Sequence, residues 1–195
     1  MPSTKRKAKM LYIDHHIGDF DLAAALSEIS AQRREQALRF RHELGQRQCV
    51  LAYLLLKRGL RAEYGLTDNP LFDYGEHGKP TIVGRPDICF NLSHCRRAVA
   101  CVLADHPVGV DVESLGRYRP ALARHTMNER ELEQIELAER PDVAFTRLWT
   151  MKEARLKLTG EGIGSGMRDV LDDSTGYRFT TTVNLEHQYV CTVCE

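Results

Sequence analysis

The sequence predicts an α+β fold, because short apolar segments typical of strands cluster between longer helical segments instead of alternating with them regularly. Of the 195 residues, 43% are hydrophobic and 28% are charged. These proportions are ordinary for a globular protein and exclude a disordered or collagen-like chain. The length fits one domain of ordinary size, or two small subdomains that share a core.

In the first half of the chain, helices are predicted between an opening strand and a later pair of strands. Ser30 can cap a helix through its hydroxyl, and no Gly or Pro interrupts the segment that follows it. The next segment has a wide apolar face and should form a buried helix. The predicted elements are a strand at 10–13, helices at 31–44 and 46–65, a turn-rich loop at 67–80, and strands at 87–93 and 97–105.

In the second half, Pro107 leads into a strand, and Asn128 is a candidate cap within a charged helical segment. The glycine-rich run GEGIGSG follows a helix and lacks the Lys and Ser/Thr ending of a P-loop. We interpret it as a helix C-cap followed by a flexible loop. The predicted elements are a strand at 108–113, a helical segment at 119–140, a helix at 145–158, and an antiparallel pair of strands at 178–182 and 188–194.

The charge balance and the termini restrict the partners and the compartment. Lys and Arg number 27, as do Asp and Glu, so nucleic acid is not expected as the main partner. The longest apolar stretch, at 49–56, is too short to span a bilayer. The basic residues 1–9 precede a segment interrupted by Asp14 and His15, unlike a signal peptide. We therefore expect a cytoplasmic protein without membrane insertion, with residues 1–9 as a solvated tail.

The six cysteines are expected to be reduced thiols, because several lie in apolar, strand-like runs where a thiol behaves as a small hydrophobe. Cys191 and Cys194 form a C-x-x-C, but an offset of three on a strand points the two side chains to opposite faces. No second such pair follows, so a structural zinc site would lack its other ligands.

The motif GVDVE at 109–113 places two carboxylates on one face of a strand. Because side chains alternate, Asp111 and Glu113 face one way while Val110 and Val112 face the core. Like charges on one face repel, and a bound cation relieves this repulsion. Oxygen ligands suit magnesium, particularly where phosphates complete the coordination. The alternative is a solvent-facing acidic pair on an edge strand.

The motif WTMKEARLK at 149–157 places Glu153 and Lys157 one helical turn apart on a shared face. The simplest interpretation is a surface ion pair, which would contribute only about 0.3 kcal/mol. In the functional alternative, Glu153 joins Asp111 and Glu113 as a third carboxylate, and Lys157 lies near a phosphate that the metal holds. Spacing alone leaves both interpretations open.

Two further motifs carry potential anion-binding groups. In NLSHC at 91–95, Ser93 and His94 can donate hydrogen bonds to an anion at the end of a strand. A satisfied turn serine and histidine are the alternative. In GKP at 78–80, Lys79 lies in a loop of restricted backbone, where an ordinary solvated lysine is equally compatible with the pattern.

Taken in order, these motifs resemble the 4′-phosphopantetheinyl transferase superfamily, and more closely its single-chain surfactin-activating type. The similarity extends to the segment at 30–57, and together the ordered motifs are more specific than any one alone. The family transfers phosphopantetheine from coenzyme A to a serine of an apo carrier protein and releases adenosine 3′,5′-bisphosphate.

The resemblance implies a role for each candidate residue. Magnesium would be held by Asp111, Glu113 and Glu153 and would bridge the pyrophosphate of coenzyme A. Glu153 would also accept the proton of the carrier serine, directly or through water. Lys157 would stabilise charge on the pyrophosphate and on the departing oxygen. The nucleotide phosphates would be gripped by Lys79, Ser93 and His94, with Arg33 reaching the same region.

The resemblance also implies two similar α+β halves related by a pseudo-twofold axis, with coenzyme A in the cleft between them. The halves would be 1–107 and 108–195, and the second would carry the metal-binding carboxylates. Two fused halves make a monomer sufficient. A carrier helix would dock beside the cleft, its acidic side meeting basic residues. Gln36 stands where relatives often have a basic residue, and Cys95 replaces a usual serine.

Two other classes of protein share part of this pattern. A magnesium-dependent nuclease also clusters carboxylates with a lysine, but its lysine commonly follows the second acid by two residues, where this chain has Leu115. Neutral net charge is also unfavourable for a nuclease. A catalytically silent module that binds coenzyme A or a carrier would have no need of all three carboxylates and Lys157.

Overall fold

A computed structural model describes residues 8–75, 78–161 and 166–195 and confirms the α+β class. The strands are β1 (Met10–Asp14), β2 (Phe72–Tyr74), β3 (Pro80–Ile82), β4 (Cys89–His94), β5 (Val99–Ala104), β6 (Gly109–Ser114), β7 (Phe179–Asn184) and β8 (Tyr189–Cys194). The helices are α1 (Leu22–Glu28), α2 (Ala31–Leu38), α3 (Glu43–Tyr64), α4 (Pro120–Thr126), α5 (Glu129–Glu136) and α6 (Pro141–Thr159).

The first half of the chain forms an antiparallel sheet in the order β1-β5-β4, and the long helix α3 packs against it. Tyr53 and Leu56 of α3 are fully buried in this core. Gly59 lets the helix approach the sheet closely, since a Cβ there would lie 2.1 Å from Leu103 Cδ1. A second, shorter antiparallel pair, β2 and β3, lies outside this sheet.

The second half forms another antiparallel sheet, in the order β6-β8-β7, with α6 packed on it. Gly109 sets this packing. A Cβ at Gly109 would lie 2.0 Å from the carbonyl oxygen of Ala154 and 2.6 Å from the backbone nitrogen of Leu158. Only glycine lets the start of β6 come this close to α6. The sequence GVDVE therefore positions α6 as well as supplying carboxylates.

The two sheets meet where β4 lies beside β6, and side chains of β4 take the place of a backbone ladder. The backbone N–H of Val110 donates to Asn91 Oδ1 at 3.0 Å, and that of Val112 donates to Ser93 Oγ at 3.1 Å. Val110 and Val112 point into a shared apolar cluster with residues of β5 and β8, as the alternation on the strand predicts.

Several predicted helices have different bounds in the structure. The helix predicted at 31–44 ends at Leu38, because Phe40 folds against Gly45 and the chain turns before α3. The helical segment at 119–140 is two helices, since Asn128 and Glu131 form a capping box that starts α5. The helix predicted at 145–158 begins earlier, at Pro141. Helix α1 and the β2–β3 pair were not predicted.

The remaining structural expectations have mixed outcomes. All six cysteines are free, and all but Cys89 are buried. In the ranges that the structure describes, no helix is long and apolar enough to cross a membrane.

Gly160 ends α6 in the left-handed conformation, as predicted, while residues 162–165 of the glycine-rich run lie outside the described residues. So do residues 1–7 of the predicted tail, whereas Lys9 pairs with Glu195 at 2.7 Å.

Candidate active site

Asp111 is the centre of a buried polar cluster between β4, β6 and α6. Its side chain is buried, and the residue is only 4% exposed. Its Oδ1 accepts hydrogen bonds from Lys157 Nζ at 2.6 Å and from Ser93 Oγ at 2.9 Å. Its Oδ2 is buried with no hydrogen-bond partner among the described residues. A buried carboxylate oxygen without a donor is costly unless another group satisfies it.

The lysine and the serine of this cluster also contact each other. Lys157 Nζ donates to Ser93 Oγ at 2.9 Å, so the ammonium group binds both residues that the motifs FNLSH and GVDVE supply. The surface ion pair between Glu153 and Lys157, which is the simplest interpretation of their spacing, is therefore wrong. Lys157 reaches across to β6 because Gly109 lets α6 lie directly against that strand.

Glu153 is buried on the same face of α6. Burial, together with the negative charges of Asp111 and Glu113, raises the pKa of Glu153 to about 7, although Lys157 and Arg117 oppose the shift. At neutral pH such a group is close to half protonated. Asp111 and Glu113 therefore lie within electrostatic range of the Glu153 carboxylate.

Glu113 lies at the outer side of this group and is partly exposed. Burial, and then the charge of Asp111, raise the pKa of Glu113. Arg117 lowers it, and the Arg117 guanidinium forms an ion pair with Glu113 Oε1. The same guanidinium lies over the ring of Trp149, 4.4 Å from its centroid. Arg117 was not predicted as a site residue. It follows Glu113 by four residues, and this spacing brings the two side chains into contact only if the chain between them turns in a particular way.

Asp111, Glu113 and Glu153 are the candidate metal ligands. Within residues 8–75, 78–161 and 166–195, no group of three or more His, Cys, Asp or Glu is arranged to hold a metal ion. Lys157 engages Asp111 and Arg117 engages Glu113 instead. The chemistry of the donors nevertheless fits magnesium, because they are oxygen ligands, they couple electrostatically, and Asp111 Oδ2 is buried without a partner.

A cleft of about 500 Å³ opens beside the cluster. Its lining includes Gln48, His94, Arg96, Glu113, Leu115 and Arg117. His94 is exposed at the end of β4, where neighbouring protein removes part of its hydration and lowers its pKa. The charges of Lys157 and Arg33 lower the pKa of His94 further. His94 therefore lies at the cleft, within the electrostatic range of two of the predicted cations.

The other predicted phosphate ligands are engaged with the protein itself. Lys79 Nζ donates to the carbonyl oxygen of Leu158 at 2.6 Å, and burial lowers the pKa of Lys79. Arg33 donates through Nε and Nη2 to the carbonyl oxygen of Cys49, and through Nη1 to Gln36 Oε1 at 2.8 Å. The structure thus brings Lys79 to the C-terminal end of α6, and holds Arg33 against α3.

A second buried ion pair accompanies the site and was not predicted. Lys152 Nζ lies 2.6 Å from Glu131 Oε2, and Lys152 is fully buried. Its ammonium also donates to the carbonyl oxygens of Thr126, Met167 and Arg168. The pair joins α6 to α4, α5 and the segment after residue 165. The only sign of this ion pair in the sequence is Lys152 itself, which precedes Glu153 in the motif WTMKEARLK.

One family model and several known proteins are similar in sequence to this chain. Residues 107–194 match the model of the 4′-phosphopantetheinyl transferase superfamily. The transferase Sfp of Bacillus subtilis strain 168 is 28% identical over 156 residues, which are 78% of this chain and 70% of that protein. The transferase psf-1 of Bacillus pumilus is 34% identical over 142 residues, 71% of this chain and 61% of that protein.

A shorter match extends the similarity to other bacteria. The transferase AcpT of Salmonella typhi is 39% identical over 119 residues, which are 56% of this chain and 58% of that protein. The matched segments thus span between 58% and 70% of the length of these relatives. The chain belongs to the 4′-phosphopantetheinyl transferase superfamily, whose members are transferases, and within it to the single-chain surfactin-activating type.

Proposed function

We propose that this chain transfers 4′-phosphopantetheine from coenzyme A to a serine of an apo carrier protein and releases adenosine 3′,5′-bisphosphate. The observation that carries the proposal is the buried cluster of Asp111, Glu153, Lys157 and Ser93 beside an open cleft. Its arrangement of acids and cations suits the positioning and charge neutralisation on which phosphoryl transfer depends.

The residues proposed to hold magnesium are Asp111, Glu113 and Glu153. When bound there, the ion would supply charge stabilisation for the pyrophosphate of coenzyme A. The support is Asp111 Oδ2, which is buried with no hydrogen-bond partner among the described residues, together with the effect of Asp111 and Glu113 on the pKa of Glu153. In the structure, Lys157 pairs with Asp111 and Arg117 pairs with Glu113.

Glu153 is proposed as the acceptor of the serine proton. The serine oxygen forms a new bond to the phosphorus, the bond from that phosphorus to the bridging oxygen breaks, and the proton passes to Glu153. A base is most effective when its pKa is near the working pH, and burial raises that of Glu153 to about 7. Lys157 would stabilise the departing phosphate oxygen, since its side chain is 29% exposed and its ammonium lies beside Asp111.

Phosphate binding is assigned to Lys79, Ser93, His94 and Arg33. His94 already lies on the wall of the cleft, which supports its role directly. Lys79 and Arg33 would have to exchange backbone carbonyl oxygens for phosphate oxygens. That exchange favours the ligand, because a cation bonded to a phosphate gains a charge-assisted hydrogen bond. Gln36, bonded to Arg33, would take the place of a basic residue near the 3′-phosphate.

The larger arrangement follows from the same proposal. Each half has a three-stranded antiparallel sheet with one long helix on it, which supports two pseudo-twofold-related halves divided near Pro107. The carrier would dock beside the cleft, where Arg96, Arg97 and the partly exposed Leu44 line a neighbouring depression. We propose a monomer that acts in the cytoplasm, where coenzyme A and apo carriers are made.

The deciding experiment mixes the protein with coenzyme A, magnesium and a panel of apo carriers, and weighs the carriers by mass spectrometry. The expected result is a phosphopantetheine adduct on at least one carrier. Asp111→Ala should abolish the adduct while its far-ultraviolet circular dichroism stays unchanged. Absence of any adduct across fatty-acid, polyketide and nonribosomal-peptide carriers would refute the transferase function. Full activity of Asp111→Ala would refute only the metal assignment.

A further inference from the structure

We propose that Arg117 is an exchangeable counter-ion of the carboxylate cluster: it neutralises Glu113 while no divalent cation is bound, and it releases Glu113 when one binds. The inference rests on the proposed function, because it assumes that the cluster takes a divalent cation. It adds a residue that competes with that cation and so sets the affinity of the site.

The carboxylate cluster has an excess of negative charge, and two cationic side chains partly neutralise it. When Asp111, Glu113 and Glu153 are ionised, they bring three negative charges together: the charge of Asp111 raises the pKa of Glu113, and the charges of both raise the pKa of Glu153. Lys157 pairs with Asp111, and Arg117 pairs with Glu113. A divalent cation would supply two positive charges at the same oxygens. One of the two side-chain cations is then redundant.

The surroundings of the two cations indicate which one leaves. Lys157 is bonded to both Asp111 and Ser93, and the proposed chemistry needs it in place. Arg117 has its side chain 45% exposed and pairs with a single carboxylate oxygen. It follows Gly116, whose φ of 89° marks a turn after β6. Moving an exposed arginine out of one ion pair costs little, because ion pairs at the protein surface contribute little to stability.

Trp149 gives this exchange a direct readout. It is the only tryptophan of the chain, and the Arg117 guanidinium lies 4.4 Å from its ring centroid. The emission of an indole depends on charges held near its ring. Release of Glu113 by Arg117 should therefore change the fluorescence of Trp149 when a divalent cation binds, without any contribution from substrate turnover.

Competition also predicts the effect of removing the arginine. Arg117→Gln should bind Mn²⁺ about threefold to tenfold more tightly than the parent, which corresponds to the loss of one partly exposed competing charge. The titration is best done at pH 8, because losing Arg117 also raises the pKa values of Glu113 and Glu153. At lower pH, protonation of these acids would oppose the gain.

The experiment titrates Mn²⁺ into the parent and Arg117→Gln, with and without coenzyme A, and follows free Mn²⁺ by electron paramagnetic resonance and Trp149 by fluorescence. Arg119→Gln is the matched control, because Arg119 is exposed and donates only to the carbonyl oxygens of Gly116 and Tyr118. We expect tighter binding and a lost fluorescence response in Arg117→Gln alone.

Three results would overturn the inference. They are equal or weaker Mn²⁺ binding by Arg117→Gln, an unchanged Trp149 emission in a parent saturated with Mn²⁺, and no Mn²⁺ binding by the parent under either condition. None of them decides the transferase function, which is judged by the mass of the carrier. Conversely, an inactive protein that still shows the Arg117-dependent response would support the inference and refute the transferase function.

Discussion

Helix α6 carries two lysines that each pair with a buried carboxylate, and the two pairs have very different surroundings. Lys152 is 0% exposed, and its ammonium meets Glu131 Oε2 and three backbone carbonyl oxygens. Lys157 has its side chain 29% exposed, and its hydrogen bonds within the described part of the chain are to Asp111 and Ser93. The pairs share a separation of 2.6 Å between nitrogen and oxygen.

The difference separates a structural ion pair from a reactive one. An ammonium group has three hydrogens to donate, and the surroundings of Lys152 offer more acceptors than that. No ligand can approach it, so it can only hold α6 against its neighbours. Lys157 borders an acid with one unpartnered oxygen and a second acid, Glu153, whose pKa is raised to about 7. Groups with displaced pKa values near an open cleft are typical of catalytic sites.

The largest expected effect comes from breaking the structural pair. Lys152→Met should lower the free energy of unfolding by about 3–5 kcal/mol, because it leaves the Glu131 carboxylate buried without a cation. Urea denaturation followed by circular dichroism measures the change. A loss below about 1 kcal/mol would contradict the structural role that we assign to Lys152.

The double variant Lys152→Met/Glu131→Leu provides the control for that prediction. Replacing both partners by apolar side chains removes the uncompensated charge, so most of the lost stability should return. The carbonyl oxygens that Lys152 now satisfies would remain without a donor, which limits the recovery. If the double variant were no more stable than Lys152→Met, the loss would come from those carbonyl oxygens and not from Glu131.

The next effect, on the reactive pair, should be larger in activity than in stability. Lys157→Met is expected to lower the rate of phosphopantetheine transfer about 100-fold, since it removes a cation from the departing oxygen. Its free energy of unfolding should fall by less than that of Lys152→Met, because the side chain of Lys157 is 29% exposed and water can take its place beside Asp111. Single-turnover transfer to an apo carrier and urea denaturation test the two halves of the prediction.

Lys157→Arg distinguishes charge from geometry at this position. It keeps the positive charge but replaces a compact ammonium by a planar guanidinium, which cannot make the same contacts with Asp111 and Ser93. Intermediate activity is expected. A Lys157→Met variant that kept full activity, or that lost as much stability as Lys152→Met, would remove the distinction between the two pairs.

Sequence reasoning located the reactive pair better than the structural one. Strand alternation predicted that Asp111 and Glu113 share a face, and helical spacing that Glu153 and Lys157 do. Neither could show that Lys157 reaches Asp111, because that depends on Gly109 letting α6 lie against β6. Close packing of this kind is a tertiary property without a local signature.

The break between α4 and α5, in contrast, has a local signature. Asn128 was predicted as a candidate cap and is the N-cap of α5, and Glu131 follows it by three residues, which is the spacing of a capping box. The buried partner of Glu131, Lys152, lies far along the chain, so no local pattern announces the pair. Likewise, the contacts of Arg33 and Lys79 with carbonyl oxygens come from packing that spacing does not encode.

The smallest expected effect is a dependence of stability on pH that originates at the reactive pair. The pKa of Glu153 is about 7 in the folded protein, above its ordinary value of 4.5. Between these values the folded state binds more protons than the unfolded state, so stability falls as pH rises. Without divalent cations, the parent should lose about 2 kcal/mol relative to Glu153→Gln between pH 5 and pH 8.

The comparison with Glu153→Gln isolates this one group, because Glu113 titrates in both proteins. Glu35→Gln is the matched control, since Glu35 is exposed and pairs with Arg39 on the surface of α2, so its curve should run parallel to that of the parent. Parallel curves for Glu153→Gln as well would contradict the raised pKa. The expected divergence would show that the reactive carboxylate destabilises the fold when ionised. Lys152 prevents such destabilisation at Glu131. At Glu153 the destabilisation persists, and the carboxylate stays available for proton transfer and cation binding.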